Sequence, residues 1–179
     1  TRSRRRQRRI GVRMDYHVLT HRAVELLDRS HDSTQAVVRS EFFKAENAYF
    51  QHSIINRRVL VAGSGLGHDC IELAHYNRFV VGIDHLDVLV QEATRRIALA
   101  GISNVSCVRG DIERLGEREY RGILVNRAID DVVLNMGTVG NFGNPHKVIE
   151  GLLACAPRVH FDFYPPTRRS LNRRIEMYT

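Results

Sequence analysis

Residues 58 to 84 constrain the fold more than any other stretch of this chain. Val59 to Ala62 is a short apolar run, partly β-branched, and predicts a buried strand. Gly63, Ser64, Gly65, Leu66 and Gly67 follow at once, and the amphipathic segment Asp69 to Tyr76 predicts a helix. A second apolar run, Phe79 to Ile83, ends on Asp84. Strand, glycine turn, helix, strand and terminal carboxylate together describe a nucleotide-binding βαβ unit. The glycines allow a sharp turn and let a ligand approach the main chain with no Cβ in the way. The helix start offers N–H groups to an anionic or polar ligand tail. A carboxylate at the tip of the second strand can accept two hydrogen bonds from ribose hydroxyls.

The rest of the chain repeats that alternation. Asp87 to Ala100 predicts a helix with Leu89, Val90, Ala93, Ile97 and Leu99 on its apolar face and Gly101 at its end. Val105 to Val108 predicts a third strand and runs into Gly110-Asp111-Ile112. Tyr120 to Val125 fits a short strand, a hairpin arm or an irregular insert. Asp131 to Leu134 predicts a better strand. Asn144-Pro145 supplies a cap and a first-position proline for a helix running to Ala156, with Pro157 as its breaker. Arg158 to Tyr164 predicts a fifth strand, stopped by Pro165-Pro166, and Thr167 to Tyr178 an arginine-rich last helix. Two helices, Asp15 to Leu27 and Ala36 to Phe50, are expected ahead of the first strand. There Tyr16, Tyr49 and Phe50 serve either packing or a lid over the site. The pattern predicts an α/β fold: a doubly wound, mostly parallel sheet with helices on both faces, an N-terminal helical extension, and a ligand site at the carboxyl ends of the strands.

The glycine spacing narrows the ligand. No lysine follows the turn as a phosphate loop requires, and the third glycine position of the dinucleotide fingerprint is held by His68, which disfavours NAD. Gly67 comes one residue early, giving Gly-x-Gly-x-Gly. With Val-Val-Gly-Ile-Asp ending at Asp84 and Arg-Gly-Asp-Ile ending at Ile112, the region from residue 40 to 178 resembles the class I S-adenosylmethionine-dependent methyltransferases, a Rossmann-like family. That resemblance implies S-adenosylmethionine as cofactor. It places the backbone of Gly63, Ser64, Gly65, Leu66 and Gly67 against the methionyl part and ribose, and Asp84 on the ribose hydroxyls with His85 nearby. Leu86 would pack on adenine, Asp111 would accept from the adenine amino group with Ile112 stacking beside it, Gly110 would belong to the same cofactor-binding set, and Asn135, Met136 and Gly137 would line the wall near the sulfonium. Asp69 reads as a first-turn helix acid rather than a ligand group.

The chain departs from the family pattern in two places. Val61 stands where many members carry an acid, which bears on the methionyl amino group. The two further strands that usually close the sheet have no counterpart before Thr179, so an open strand edge is expected, with a partner chain, a shortened chain or low stability as its consequence. The loop after the fourth strand lacks an Asp/Asn-Pro-Pro-Tyr motif. Its Asn-Met-Gly-Thr-Val-Gly-Asn resembles the corresponding loop of small-molecule N-methyltransferases, including the histidine-betaine-forming type. Asn141 would then be a substrate-side hydrogen-bonding residue, or else a loop former, and Asp162 and Tyr164 are weaker substrate candidates. Methyl transfer is an in-line displacement helped by alignment and desolvation, so no general base need be visible. His17, His21, His68, His85, His146 and His160 are scattered, and none is singled out as a catalytic residue.

The formal net charge of +7 equals the seven arginines at positions 2, 4, 5, 6, 8, 9 and 13, so the remainder is near neutral. Residues 1–14 are expected to form a basic disordered tail, 15–57 the N-terminal helices and 58–179 the cofactor-binding core. No apolar run approaches the length of a membrane span, and none follows the arginines as a secretory signal would require. Cys70, Cys107 and Cys155 fall inside predicted elements without metal spacing. They read as reduced thiols of a cytoplasmic protein with no bound metal. Small-molecule N- or O-methylation is the leading expectation. The alternatives are a nucleic-acid or protein methyltransferase using the tail with Arg168, Arg169, Arg173 and Arg174, and a non-catalytic cofactor-binding subunit. In each case an oligomer or a partner chain is expected to cover the open sheet edge.

Overall fold

A computed structural model describes residues 41–117, 128–135 and 138–162. Within them the order is α1 (Glu41–Ser53), β1 (Arg58–Ala62), α2 (His68–Ala74), β2 (Phe79–Asp84), α3 (Asp87–Leu99), β3 (Val105–Arg109), β4 (Asp131–Leu134), α4 (Pro145–Leu153) and β5 (Arg158–Phe161). Single 3-10 turns at Ile112–Arg114 and Thr138–Asn141 follow β3 and β4. The strands form one five-stranded sheet in the order β3-β2-β1-β4-β5, and every pairing is parallel. The chain steps outward from β1 through β2 to β3, then returns to lay β4 and β5 on the other side. That reversal puts a crevice outside the tips of β1 and β4, the position where open α/β sheets bind ligands.

Alternation along the strands explains the two faces. Leu60, Ala62, Val81, Ile83, Val132 and Leu134 pack on one side with Val148 and Leu152 of α4 and with Ile112 and Leu115. Val59, Val61, Val80 and Val133 pack on the other with Phe50 of α1, Ile54 just beyond its end, and Cys70, Leu73 and Ala74 of α2. Strands covered on both faces are apolar at successive positions, which is why β1, β2 and β4 read as continuous runs in the sequence. Gly82 sits where three side chains converge. A Cβ there would lie 2.7 Å from Cys70 Sγ, 2.8 Å from Cys107 Sγ and 2.8 Å from Ser64 Cβ. The buried Asn77 ties the helical extension to the sheet. Its amide donates to the carbonyls of Ile54 (2.9 Å) and Leu73 (2.8 Å), and its oxygen accepts the Arg57 N–H (3.0 Å).

Some element boundaries differ from the sequence expectation. α1 continues three residues past Phe50, because Ile54 and Phe50 both face the core. α4 stops at Leu153 rather than Ala156. The N–H groups of Cys155 and Ala156 both turn back to the Leu152 carbonyl, which redirects the chain into β5 and leaves Cys155 outside any element. β5 stops at Phe161 rather than Tyr164, since Phe161 pairs with Leu134, the last residue of β4. The expectations for the tail, the helix at 15–27, residues 36–40, the segment 120–125, Met136, Gly137, Tyr164 and the helix at 167–178 lie outside the described residues. All three cysteines are free thiols. No helix among the described residues is long and apolar enough to cross a membrane, and no metal-binding group of side chains occurs among them.

Candidate functional site

The tips of β1, β2, β3 and β4 are laced together by backbone and side-chain hydrogen bonds. The N–H groups of Gly63 and Ser64 donate to the Ile83 carbonyl at 2.8 and 2.9 Å, and Gly110 N–H donates to the Asp84 carbonyl at 2.9 Å. Asp84 is buried, 6% exposed, and both of its carboxylate oxygens are engaged. Oδ2 accepts the Gly65 N–H and Oδ1 the Leu86 N–H, each at 3.0 Å. Asp84 thus clamps the glycine turn to the start of α3. Each oxygen retains a second lone pair that can face a ligand. His85 Nδ1 lies 3.6 Å from Asp84 Oδ1, beyond hydrogen-bonding reach.

The glycine turn carries positive φ at Gly63 (73°), Gly65 (50°) and Gly67 (81°). At Gly65 a Cβ would meet no protein atom within 4 Å, so the turn opens onto free space on that side. At Gly67 a Cβ would lie 3.0 Å from Ala93 Cβ of α3. The close helix approach that a third fingerprint glycine serves is therefore made one residue early. His68 is then free to pack outward, where its Nε2 lies 3.1 Å from Arg96 Nη1 and burial, aided by Arg96, lowers its pKa. Leu66 is half-buried in the same turn, and Ser64 is buried with no hydrogen-bond partner for Oγ.

Asp111 Oδ1 accepts the Glu113 N–H at 2.9 Å and caps the 3-10 turn that buries Ile112. The Ile112 side chain reaches the glycine turn, its Cδ1 3.5 Å from the place a Gly63 Cβ would take. Asn135, at the tip of β4, is buried and donates from Nδ2 to Asp69 Oδ2 at 3.2 Å, while its carbonyl accepts the Thr138 N–H at 3.2 Å. Asp69 does lie in the first turn of α2, but it also joins the tips of the strands, a role the sequence reading did not assign to it. Burial pushes its carboxyl up to about 6; the Asn135 hydrogen bond opposes this, and Asp162 and Glu72 add to it.

A cleft of about 390 Å³ continues from Asn135 along the α1 face, lined by Glu46, Tyr49, Phe50, His160, Phe161 and Asp162 among others. Glu46 is raised to about 8 by burial, then by Asp69 and Asp162, and its Oε2 is buried without a partner. Both aromatics line the cleft, but Phe50 is also core, 1% exposed, whereas Tyr49 is 48% exposed. The Tyr49 hydroxyl meets His160 Nδ1 at 2.8 Å, and His160 Nε2 meets Asp131 Oδ1 at 2.8 Å. Arg158 donates twice to Asp131, at 2.7 and 2.8 Å. One histidine does therefore stand out. Its signal in the sequence was the alternation Arg158-x-His160, which places two polar side chains on the same face of a predicted strand. Asp162 lies in this cleft. Asn141 falls in the 3-10 turn after β4, its side chain outside the described residues, as are Met136, Gly137 and Tyr164.

A family model described as "Methyltransferase domain" matches residues 55–161, more than half of the chain. The chain belongs to that family. The fold of this methyltransferase domain is shared with solved structures at low identity. Magnesium protoporphyrin IX methyltransferase (ChlM) from Synechocystis PCC 6803, with bound SAH, aligns with a TM-score of 0.61 at 16% identity, over 92% of this chain and 80% of that one. The YcgJ protein of Bacillus subtilis gives 0.54 at 19% identity, over 73% of this chain and 55% of its own. Phosphoethanolamine N-methyltransferase 1 of Haemonchus contortus, in complex with phosphoethanolamine and S-adenosylhomocysteine, gives 0.54 at 21%, over 86% of this chain and 34% of its own. The chain thus spans about half the length of the Bacillus protein and about a third of the Haemonchus enzyme. Comparison with curated proteins returned no match. The cofactor of this methyltransferase family is S-adenosylmethionine. The residues present fit it: an open glycine turn, a buried acceptor-only carboxylate at the β2 tip and an apolar residue at the β3 tip, with no phosphate-binding lysine.

Proposed function

We propose that this domain transfers a methyl group from S-adenosylmethionine to a nitrogen or oxygen of a small molecule held in the cleft under α1. The carrying observation is the cleft itself, which starts at Asn135 at the β4 tip and has a volume of about 390 Å³, within the range of small-ligand sites. In this reading the backbone from Gly63 to Gly67 cradles the methionyl part and ribose. Asp84 accepts the ribose hydroxyls while it clamps the turn, and Leu86, Gly110, Asp111 and Ile112 surround the adenine. Val61 is buried core and cannot meet the cofactor's ammonium group. Asp69, steadied by Asn135, supplies a carboxylate on that side instead. When bound, the cofactor supplies an electrophilic methyl on a cationic sulfonium. The protein's part is to align the acceptor with it and exclude water. Asp162 lies on the wall of the acceptor cleft, and Glu46, with its carboxyl raised to about 8, is a protonated acid there that can donate a hydrogen bond.

Calorimetric titration with S-adenosylhomocysteine and with NAD tests the cofactor assignment. Saturable binding of S-adenosylhomocysteine and none of NAD is expected. Binding of NAD alone would overturn the reading.

A further inference from the structure

The chain Tyr49–His160–Asp131 joins an exposed phenol in the cleft to a carboxylate with no solvent exposure. Its direction follows from the donor inventory. Burial alone would push the Asp131 carboxyl up, but hydrogen bonds from Arg158 and His160 outweigh it and hold the group below the usual carboxylate range. An ionised carboxylate only accepts, so His160 presents Nε2–H to Asp131. In the Nε2–H tautomer Nδ1 is an acceptor, and the 2.8 Å contact is then Tyr49 O–H donating to Nδ1. With its proton committed to His160, the Tyr49 oxygen turns only lone pairs towards the cleft. Three elements enforce this arrangement: β4 supplies Asp131, β5 supplies Arg158 and His160, and α1 supplies Tyr49. The ring of Tyr49 also packs edge-on against His160, with centroids 5.8 Å apart, which fixes the phenol in place.

We propose that Tyr49 is the group that receives the hydrogen bond, and then the proton, of the methyl acceptor, and that the cleft selects acceptors bearing an N–H or O–H. This rests on the methyl-transfer reading above and names its proton path. The acceptor's lone pair forms the bond to the methyl carbon as the carbon–sulfur pair returns to sulfur. The acceptor's proton passes to the Tyr49 oxygen while the Tyr49 proton passes to His160 Nδ1. The sulfonium's positive charge is then carried by an imidazolium paired with Asp131, and the proton leaves to solvent in the reverse sense after product departs. Other titratable or charged groups facing this chain are Arg158 and Arg57 at Asp131, the latter at 4.0 Å, and Glu46 and Asp162 across the cleft. Asp162 favours an imidazolium; Arg158 and Arg57 oppose it.

The test uses the full chain saturated with S-adenosylhomocysteine and a probe pair that differs by one methyl group, phenol and anisole. Long-range proton–nitrogen NMR reads the His160 ring. The expected free state is the Nε2–H tautomer, and phenol is expected to perturb Nδ1 saturably. Anisole is expected to bind about five- to tenfold more weakly, the net worth of one hydrogen bond. Tyr49→Phe, and separately His160→Gln, should abolish the phenol preference while leaving S-adenosylhomocysteine affinity intact. A Nδ1–H tautomer, equal binding of the two probes, no saturable phenol binding, or an unchanged preference in both variants would overturn the proposal. Failure of the wild-type chain to bind S-adenosylhomocysteine would instead remove the cofactor reading on which it stands.

Discussion

Asp84 is expected to stabilise the empty protein as well as bind the cofactor, and Asp84→Ala separates the two. The side chain accepts two backbone N–H groups at 3.0 Å, from Gly65 and Leu86, in a site where the residue is 6% exposed. Hydrogen bonds to a charged group are each worth about 1.5–3 kcal/mol. Truncation also leaves two donors without partners, although water entering the vacated space recovers part of that loss. A destabilisation of about 3–4 kcal/mol follows, a large fraction of the roughly 5–15 kcal/mol that holds a domain folded. Urea unfolding without ligand should show the midpoint falling with little change in slope. Calorimetry with S-adenosylhomocysteine should show affinity reduced by about a hundredfold, the equivalent of two ribose hydrogen bonds and a loosened turn. Unchanged unfolding in the absence of ligand would refute the clamp. Unchanged affinity in a folded variant would refute the ribose assignment.

Three further outcomes follow from the same geometry. Gly65→Ala has room for its Cβ within the protein but a φ of 50°, so a stability loss of about 1 kcal/mol by urea unfolding should accompany a much larger loss of S-adenosylhomocysteine binding; equal affinity would mean that the open space is not ligand space. Asp69→Asn should weaken S-adenosylhomocysteine about tenfold in calorimetry yet leave methylthioadenosine, which lacks the amino-acid tail, unaffected; parallel losses would sink the ammonium assignment. Glu46 binds its proton more tightly folded, at about 8, than at its ordinary value of 4.5, so the native state holds the extra proton in that window. Stability should therefore be full at the acid end and fall as pH rises from 4.5 to about 8, and thermal melts of Glu46→Gln should show a flatter pH dependence; an unaltered dependence would refute the burial argument.

The order of strands and helices from Val59 to Phe161 was legible in the sequence because it depends on local properties. Continuous apolar runs of four and five residues require cover on both faces, and the glycines at 63, 65 and 67 allow the positive φ values that the turn adopts. The reading of Asp84 as a strand-tip carboxylate was equally local. What hydrophobic periodicity could not convey is which side chains meet across the sheet. Tyr49 and His160 are 111 residues apart, and Asp69 and Asn135 are 66 apart. They come together because β4 and β5 are laid beside β1 on the side opposite β2, with α1 crossing that half of the sheet. Strand order and register are set by the packing of the whole core, and they bring Tyr49, His160 and Asp131 together along the cleft. Residues within a few positions of Gly63 specify the turn and its cofactor class; the cleft along α1 was decided by tertiary structure, since the hydrogen bonds from Tyr49 to His160 and from His160 to Asp131 each join different elements.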